Sequence, residues 1–70
     1  MRYAIVIETS ATGFAAYVPD LPGCVATGRT RDDVLVNIRA AVEFHLDGLR
    51  EDGSPRPVPT STCEYVEPQR

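Results

Sequence analysis

Apolar and polar positions alternate at the start of the chain, with the two-residue period of a strand. Tyr3, Ile5 and Ile7 share one face, and Ala4 and Val6 the other, so residues 3–8 are predicted as a strand. Thr9-Ser10-Ala11-Thr12-Gly13 is a turn cluster, and the β-prone run over residues 14–18 follows it. So short a connection predicts an antiparallel hairpin. Pro19 lacks the N–H a ladder needs and ends the second strand. Pro19-Asp20-Leu21-Pro22-Gly23 predicts a rigid turn, with Pro22 presetting one φ and Gly23 supplying a positive one. Residues 24–27 read as a third short strand.

The apolar period then lengthens to that of a helix. Thr30 is placed as an N-cap, and Asp32 and Asp33 favour the positive end of the helix dipole. Val34, Leu35, Ile38, Ala41, Val42, Leu46 and Leu49 form one stripe, with His45 at a similar angle. Gly53 and Ser54-Pro55 stop the helix, which is predicted from about Arg31 to about Asp52. Pro55, Pro57 and Pro59 make the next segment extended and stiff. Residues 62–66 are predicted as a last strand, with fraying from residue 67. The order β-β-β-α-β predicts a two-layer α+β domain with the helix on one face of the sheet. Its last strand would lie beside the first, parallel to it, after a crossover through the helix.

Length and charge narrow the function classes. Seventy residues make one domain, residues 1–70, with an ordered core of about residues 3–66. The content of 43% apolar and 24% charged residues is that of a folded domain. The five residues between Arg2 and Glu8 are too few for a signal-peptide core, so a cytoplasmic protein is expected. No run approaches the roughly 18 apolar residues of a membrane span. Ten acidic residues against seven Arg give a net charge of −3, which disfavours nonspecific nucleic-acid binding and suits a basic protein partner. A domain of this size buries only about 60% of its unfolded surface, so added burial against a partner or a second copy is plausible.

Candidate chemistry is sparse. His45 is the one histidine, with no nucleophile and orienting group at a telling spacing, and it reads as a structural, partly buried side chain. Cys24, His45 and Cys63 are types that bind zinc but lack a metal-site spacing; the two cysteines are expected as reduced thiols. Glu8 and Asp20 offer only a pair of carboxylates where a metal nuclease needs several. No catalytic residue, cofactor or metal site is expected. The sharper feature is on the helix. Val36, Ala40 and Phe44 recur every four residues away from the main stripe, surrounded by Arg39, Glu43, Asp47 and Glu51. With Glu43 and Asp47 they are the candidate surface for a partner or for self-association, the alternative being Phe44 tucked onto the core edge and Val36 incidental. Glu43, Asp47 and Glu51 also form an acidic row, either a solvated face or a steering surface for a basic partner.

Tyr17-Val18-Pro19-Asp20-Leu21-Pro22-Gly23-Cys24 resembles the signature of the HicB antitoxin family. The resemblance continues through Gly28-Arg29-Thr30, through the helix residues 41–53, and through the alternating prolines, covering about residues 3–66. It implies a partly degraded ribonuclease-H-like fold: a three-stranded antiparallel meander, one helix, and a fourth strand beside the first. It further implies an antitoxin of a type II toxin–antitoxin pair, which binds a small, basic, mRNA-cleaving toxin of HicA type and obstructs its RNA site. Catalysis belongs to that toxin, so no catalytic residue carries over. Family members commonly form dimers or larger assemblies, so a homo-oligomer is expected. Many also carry a C-terminal DNA-binding module; these 70 residues contain none, and autonomous operator binding is not expected. Arg29 stands where the family more often has an acid, and residues 9–13 lack the usual acidic residues. The alternative function is an orphan oligomeric interaction module without a toxin.

Overall fold

In a computed structural model, which describes residues 1–69, a tight turn at Ala11-Thr12 folds β1 (Val6–Ser10) onto β2 (Gly13–Tyr17). Antiparallel pairing runs from Val6↔Tyr17 to Ser10↔Gly13. β3 (Val25–Gly28) pairs antiparallel with the other edge of β2, giving the order β1-β2-β3, and α1 (Arg31–Glu51) packs on β2 and β3. The meander and the single covering helix are thus as the sequence predicts.

The predicted first strand begins three residues too early, and the reason lies in the turn. The residue that would pair with Ile5 is Val18, but the Val18 N–H donates to the Cys24 carbonyl at 3.1 Å. Leu21 N–H donates to the Val18 carbonyl at 3.1 Å, and Cys24 N–H to the Leu21 carbonyl at 3.0 Å. The backbone of Val18 thus faces the β3 side; the next residue that would face β1 is Pro19, which has no N–H to give a longer ladder, and two successive β-turns then bend the chain away. Gly23, at φ +84°, occupies the turn position that demands a positive value.

Both helix ends form as predicted. Thr30 Oγ1 accepts from the Asp33 N–H at 3.0 Å, and Asp32 and Asp33 lie in the first turn. At the other end Gly53 N–H donates to the Arg50 carbonyl and Ser54 N–H to the Leu49 carbonyl, the paired bonds of a Schellman cap. Asn37 Nδ2 donates to the Thr27 carbonyl at 2.8 Å and ties the helix to β3.

The core is Ala16, Val18, Leu21, Cys24, Val34 and Ile38, with Tyr3, Ile5, Ile7, Phe14, Ala26, Ala41, Val42 and Leu46 packed around it. Of the predicted helix stripe only Val34 and Ile38 are fully buried. A helix of 21 residues is about 31 Å long, whereas strands of four or five residues span about 13–17 Å. One layer therefore overhangs the other, and Leu46 and Leu49 are only half-buried.

The predicted fourth strand does not form: residues 62–66 make no ladder. Strand pairing needs backbone N–H and C=O groups facing the neighbouring edge. Here the segment is held through side chains instead. Tyr3 Oη donates to the Pro57 carbonyl, and the thiol of Cys63, not its backbone, meets the Ile5 carbonyl at 3.7 Å.

Candidate interaction surface

The geometry of α1 separates two faces. Val34, Ile38, Ala41 and Val42 point to the sheet, while Val36, Ala40, Glu43, Phe44 and Asp47 are all exposed on the roughly opposite side. Phe44 does not tuck onto the core edge; it is 82% exposed, and Val36 is exposed as well. Two large apolar side chains therefore stand in solvent with Ala40 between them. The acidic rim is partly engaged, since Arg50 Nη2 lies 2.9 Å from Asp47 Oδ1 across a wet helix surface. Such an exposed pair contributes little to stability. His45 is half-buried on the core side.

The other sequence candidates lie elsewhere. Cys24 is buried in the core, where desolvation pushes its thiol pKa up, and Cys63 is exposed. Both thiols are free. Among the described residues, no three His, Cys, Asp or Glu side chains gather where they could hold a metal ion. Glu8 is exposed on β1, paired across the sheet with Ala15.

Asp20 has a structural task that its sequence position does not reveal. Its Oδ2 accepts from the backbone N–H groups of Thr60 and Ser61 at 2.8 and 2.9 Å. Its Oδ1 accepts from their hydroxyls at 3.1 and 2.8 Å. These bonds, led by the Ser61 and Thr60 backbone N–H groups, hold the carboxyl at about 2 against an ordinary 3.8. The folded value is depressed, so the contribution is complete above the ordinary value and is lost as pH falls from about 3.8 to about 2. The Thr60 and Ser61 amide resonances are expected to move together through that window. Asp20→Ala should release both amides to rapid hydrogen exchange at neutral pH while the sheet amides stay protected. Unchanged protection of Thr60 and Ser61 in that variant would contradict the clasp.

Sequence reading also passed over the outer face of the sheet. The register Val6↔Tyr17↔Val25 lines up three apolar side chains on the face away from the helix. Tyr17 and Val25 are exposed, Val25 by 63%. The signal was present in the alternation of β1, but only the strand register lines the three up.

The sequence and the fold have relatives. The profile of HicB-like antitoxins of bacterial toxin–antitoxin systems matches residues 3–69. An uncharacterised 14.9 kDa protein of Haemophilus phage HP1 is 35% identical over 66 residues, covering 94% of this chain and 50% of its own. Antitoxin HicB 2 of Photorhabdus laumondii is 34% identical over 68 residues, covering 96% of this chain and 49% of its own. The chain thus spans about half the length of these two relatives. A UPF0150 protein of Thermoplasma acidophilum is 31% identical over 67 residues, 94% of each chain. Among solved structures, a chain of a HicA3–HicB3 toxin–antitoxin complex superposes with a TM-score of 0.73 at 35% identity, over 86% of this chain and 70% of that one. With its turn, its helix and nearly its whole length matched, the chain belongs to the HicB-like antitoxins of bacterial toxin–antitoxin systems.

Proposed function

We propose that the chain is the antitoxin of a type II pair and acts in the cytoplasm by binding a small HicA-type, mRNA-cleaving toxin and obstructing its RNA site. The observation that carries this reading is the 35% identical match to a chain of a HicA3–HicB3 complex. The role is binding rather than catalysis. It fits a chain whose Asp20, one of the two carboxylates a nuclease would call on, is engaged in holding Thr60 and Ser61.

The outer face of α1 is the proposed toxin-facing surface. Val36 and Phe44 supply apolar contact area, and Glu43 and Asp47 supply a charge sign complementary to a basic protein. Phe44→Asp should leave the circular dichroism spectrum and melting temperature nearly unchanged, since the side chain already stands in water. It should weaken binding by about 2 kcal/mol or more, roughly 30-fold, if Phe44 is a buried anchor of the complex. Isothermal titration against the purified cognate toxin measures this, with rescue of toxin-arrested growth as the cellular readout. Wild-type affinity in the variant would remove the helix face from the toxin interface. Failure of the unaltered chain to bind or rescue would overturn the antitoxin reading.

A further inference from the structure

The apolar stripe of α1 is wider than the core beneath it. Val34 and Ile38 are buried, but Leu35, Val42, Leu46 and Leu49 are only half-buried. Their spacing of i, i+7, i+11 and i+14 puts these four on one narrow flank of the helix, the kind of seam against which a second helix packs. A groove follows this flank in two stretches. The first is an opening of about 330 Å³, with Tyr3 and Ile5 as one wall and Leu35 and Val42 as the other. The second, of about 280 Å³, lies along Leu46 and Leu49, where α1 overhangs the sheet. Val42 and Leu46 are about one helical turn apart, so the two stretches follow one another along roughly 21 Å of α1.

The charge along this groove is the reverse of the chain's own. Ten acidic residues outnumber seven Arg in the whole sequence. Yet Arg39 is the charged side chain of the first stretch, Arg50 and Arg56 are those of the second, and among the described residues no Asp or Glu lines either. All three guanidinium groups belong to exposed residues. Arg50 gives one N–H to Asp47 across the wet helix surface, which leaves its other donors for a further carboxylate. Charges are screened beyond about 8 Å at physiological ionic strength. A segment lying in the groove therefore senses these arginines more than the net charge of −3.

We propose that this groove docks an acidic amphipathic helix of a partner protein. Its apolar side chains pack on Leu35, Val42, Leu46 and Leu49, and its carboxylates meet Arg39, Arg50 and Arg56. Helix-in-groove recognition uses apolar anchors at i, i+3, i+4 and i+7, and about four turns of partner helix match the length of the groove. A nucleic acid fits less well, because its bases stack on aromatic faces and these walls are aliphatic apart from Tyr3. A basic toxin is repelled by the same arginines, so the occupant is a second partner. The groove also lies on a different flank of α1 from Phe44, and the proposal stands or falls apart from the antitoxin reading.

The test is a display library of helices of about 18 residues, sorted against the full chain. Each member carries a fixed leucine stripe, and its other positions are drawn from Glu, Lys and Gln. Binders are expected to be rich in Glu beside the stripe. A synthetic copy of one binder should shift the methyl resonances of Leu35, Val42, Leu46 and Leu49 and leave those of Val36 unmoved. Arg39→Glu with Arg56→Glu should weaken its binding about tenfold or more while the circular dichroism spectrum stays the same, since both residues stand in water. Arg39→Gln with Arg56→Gln removes charge without adding repulsion and should have a smaller effect of the same sign. No enrichment, enrichment of Lys, shifts at Val36 instead of the groove, or indifference to both pairs of substitutions would each overturn the proposal. So would groove methyls that shift with chain concentration alone, which assigns the groove to a second copy. Shifts of the same methyls on adding an oligouridine RNA would assign it to nucleic acid, with the same consequence.

Discussion

Leu21→Ala is expected to unfold a large fraction of the molecule near physiological temperature. Leu21 lies in a turn, between Asp20 and Pro22, yet none of its surface reaches solvent. The double turn explains this. With Val18, Leu21 and Cys24 linked by three backbone hydrogen bonds, the chain curls inward, and the one large apolar side chain of the turn drops beneath Val34 and Ile38 in the core. Truncating a buried leucine to alanine costs about 2–5 kcal/mol, the upper values applying where the walls cannot collapse. Here the walls are a proline-braced turn and the first turns of a capped helix, and both resist collapse. A domain of this length has a total stability of roughly 4–10 kcal/mol. The substitution therefore removes a third or more of it, and the melting temperature should fall by about 10 °C or more. Leu21→Met keeps the volume and should cost less than about 1.5 kcal/mol. Thermal melts of the two variants check the pair; equal melting points would mean that the site is not packed as described.

Leu21 also marks where sequence reading stops. The turn was legible because proline and glycine act locally: Pro22 and Gly23 set their φ values whatever surrounds them. That the turn carries the largest fully buried side chain of the domain was not legible, since burial depends on what lies above the turn. The helix shows the same division. Thr30, Asp32 and Asp33 announce its start, and the four-residue spacing of Val36, Ala40 and Phe44 announces an outer face, because both follow from helix geometry alone. The half-exposure of Leu46 and Leu49 depends instead on the length of the sheet beneath them. Asp20 is a third case. Its partners are 40 and 41 residues away, and no local pattern connects them. Residues 62–66 have strand composition without a strand, because composition states what a segment can pair with and not whether an edge is in reach.

The inner face of the sheet explains how a helix comes so close, and one substitution tests it at two positions with opposite signs. Cross-strand rows on that face place Ala16 beside Ala26, and Phe14 beside Gly28. The small residues of β3 let α1 approach until backbone nearly meets backbone. A Cβ built on Gly28 would lie 2.5 Å from the Val34 nitrogen, 2.8 Å from its Cα and 2.9 Å from the Asp33 carbonyl carbon. These are main-chain atoms of the first helical turn, held by the Thr30 cap, so no side chain can rotate away to make room. Gly28→Ala must lift the helix start from β3, loosening the Val34 contact and the Asn37–Thr27 bond together. Overpacking typically costs about 1–3 kcal/mol, and this case belongs at or above the top of that range. Gly48, exposed on the far half of the same helix, has no atom within 4 Å of its own added Cβ. Gly48→Ala therefore gains helix propensity without a clash and should stabilise the domain by about 1 kcal/mol. Denaturation midpoints should move down for Gly28→Ala and up for Gly48→Ala. If both moved up, helix propensity alone would govern, and the close approach of α1 to β3 would be refuted.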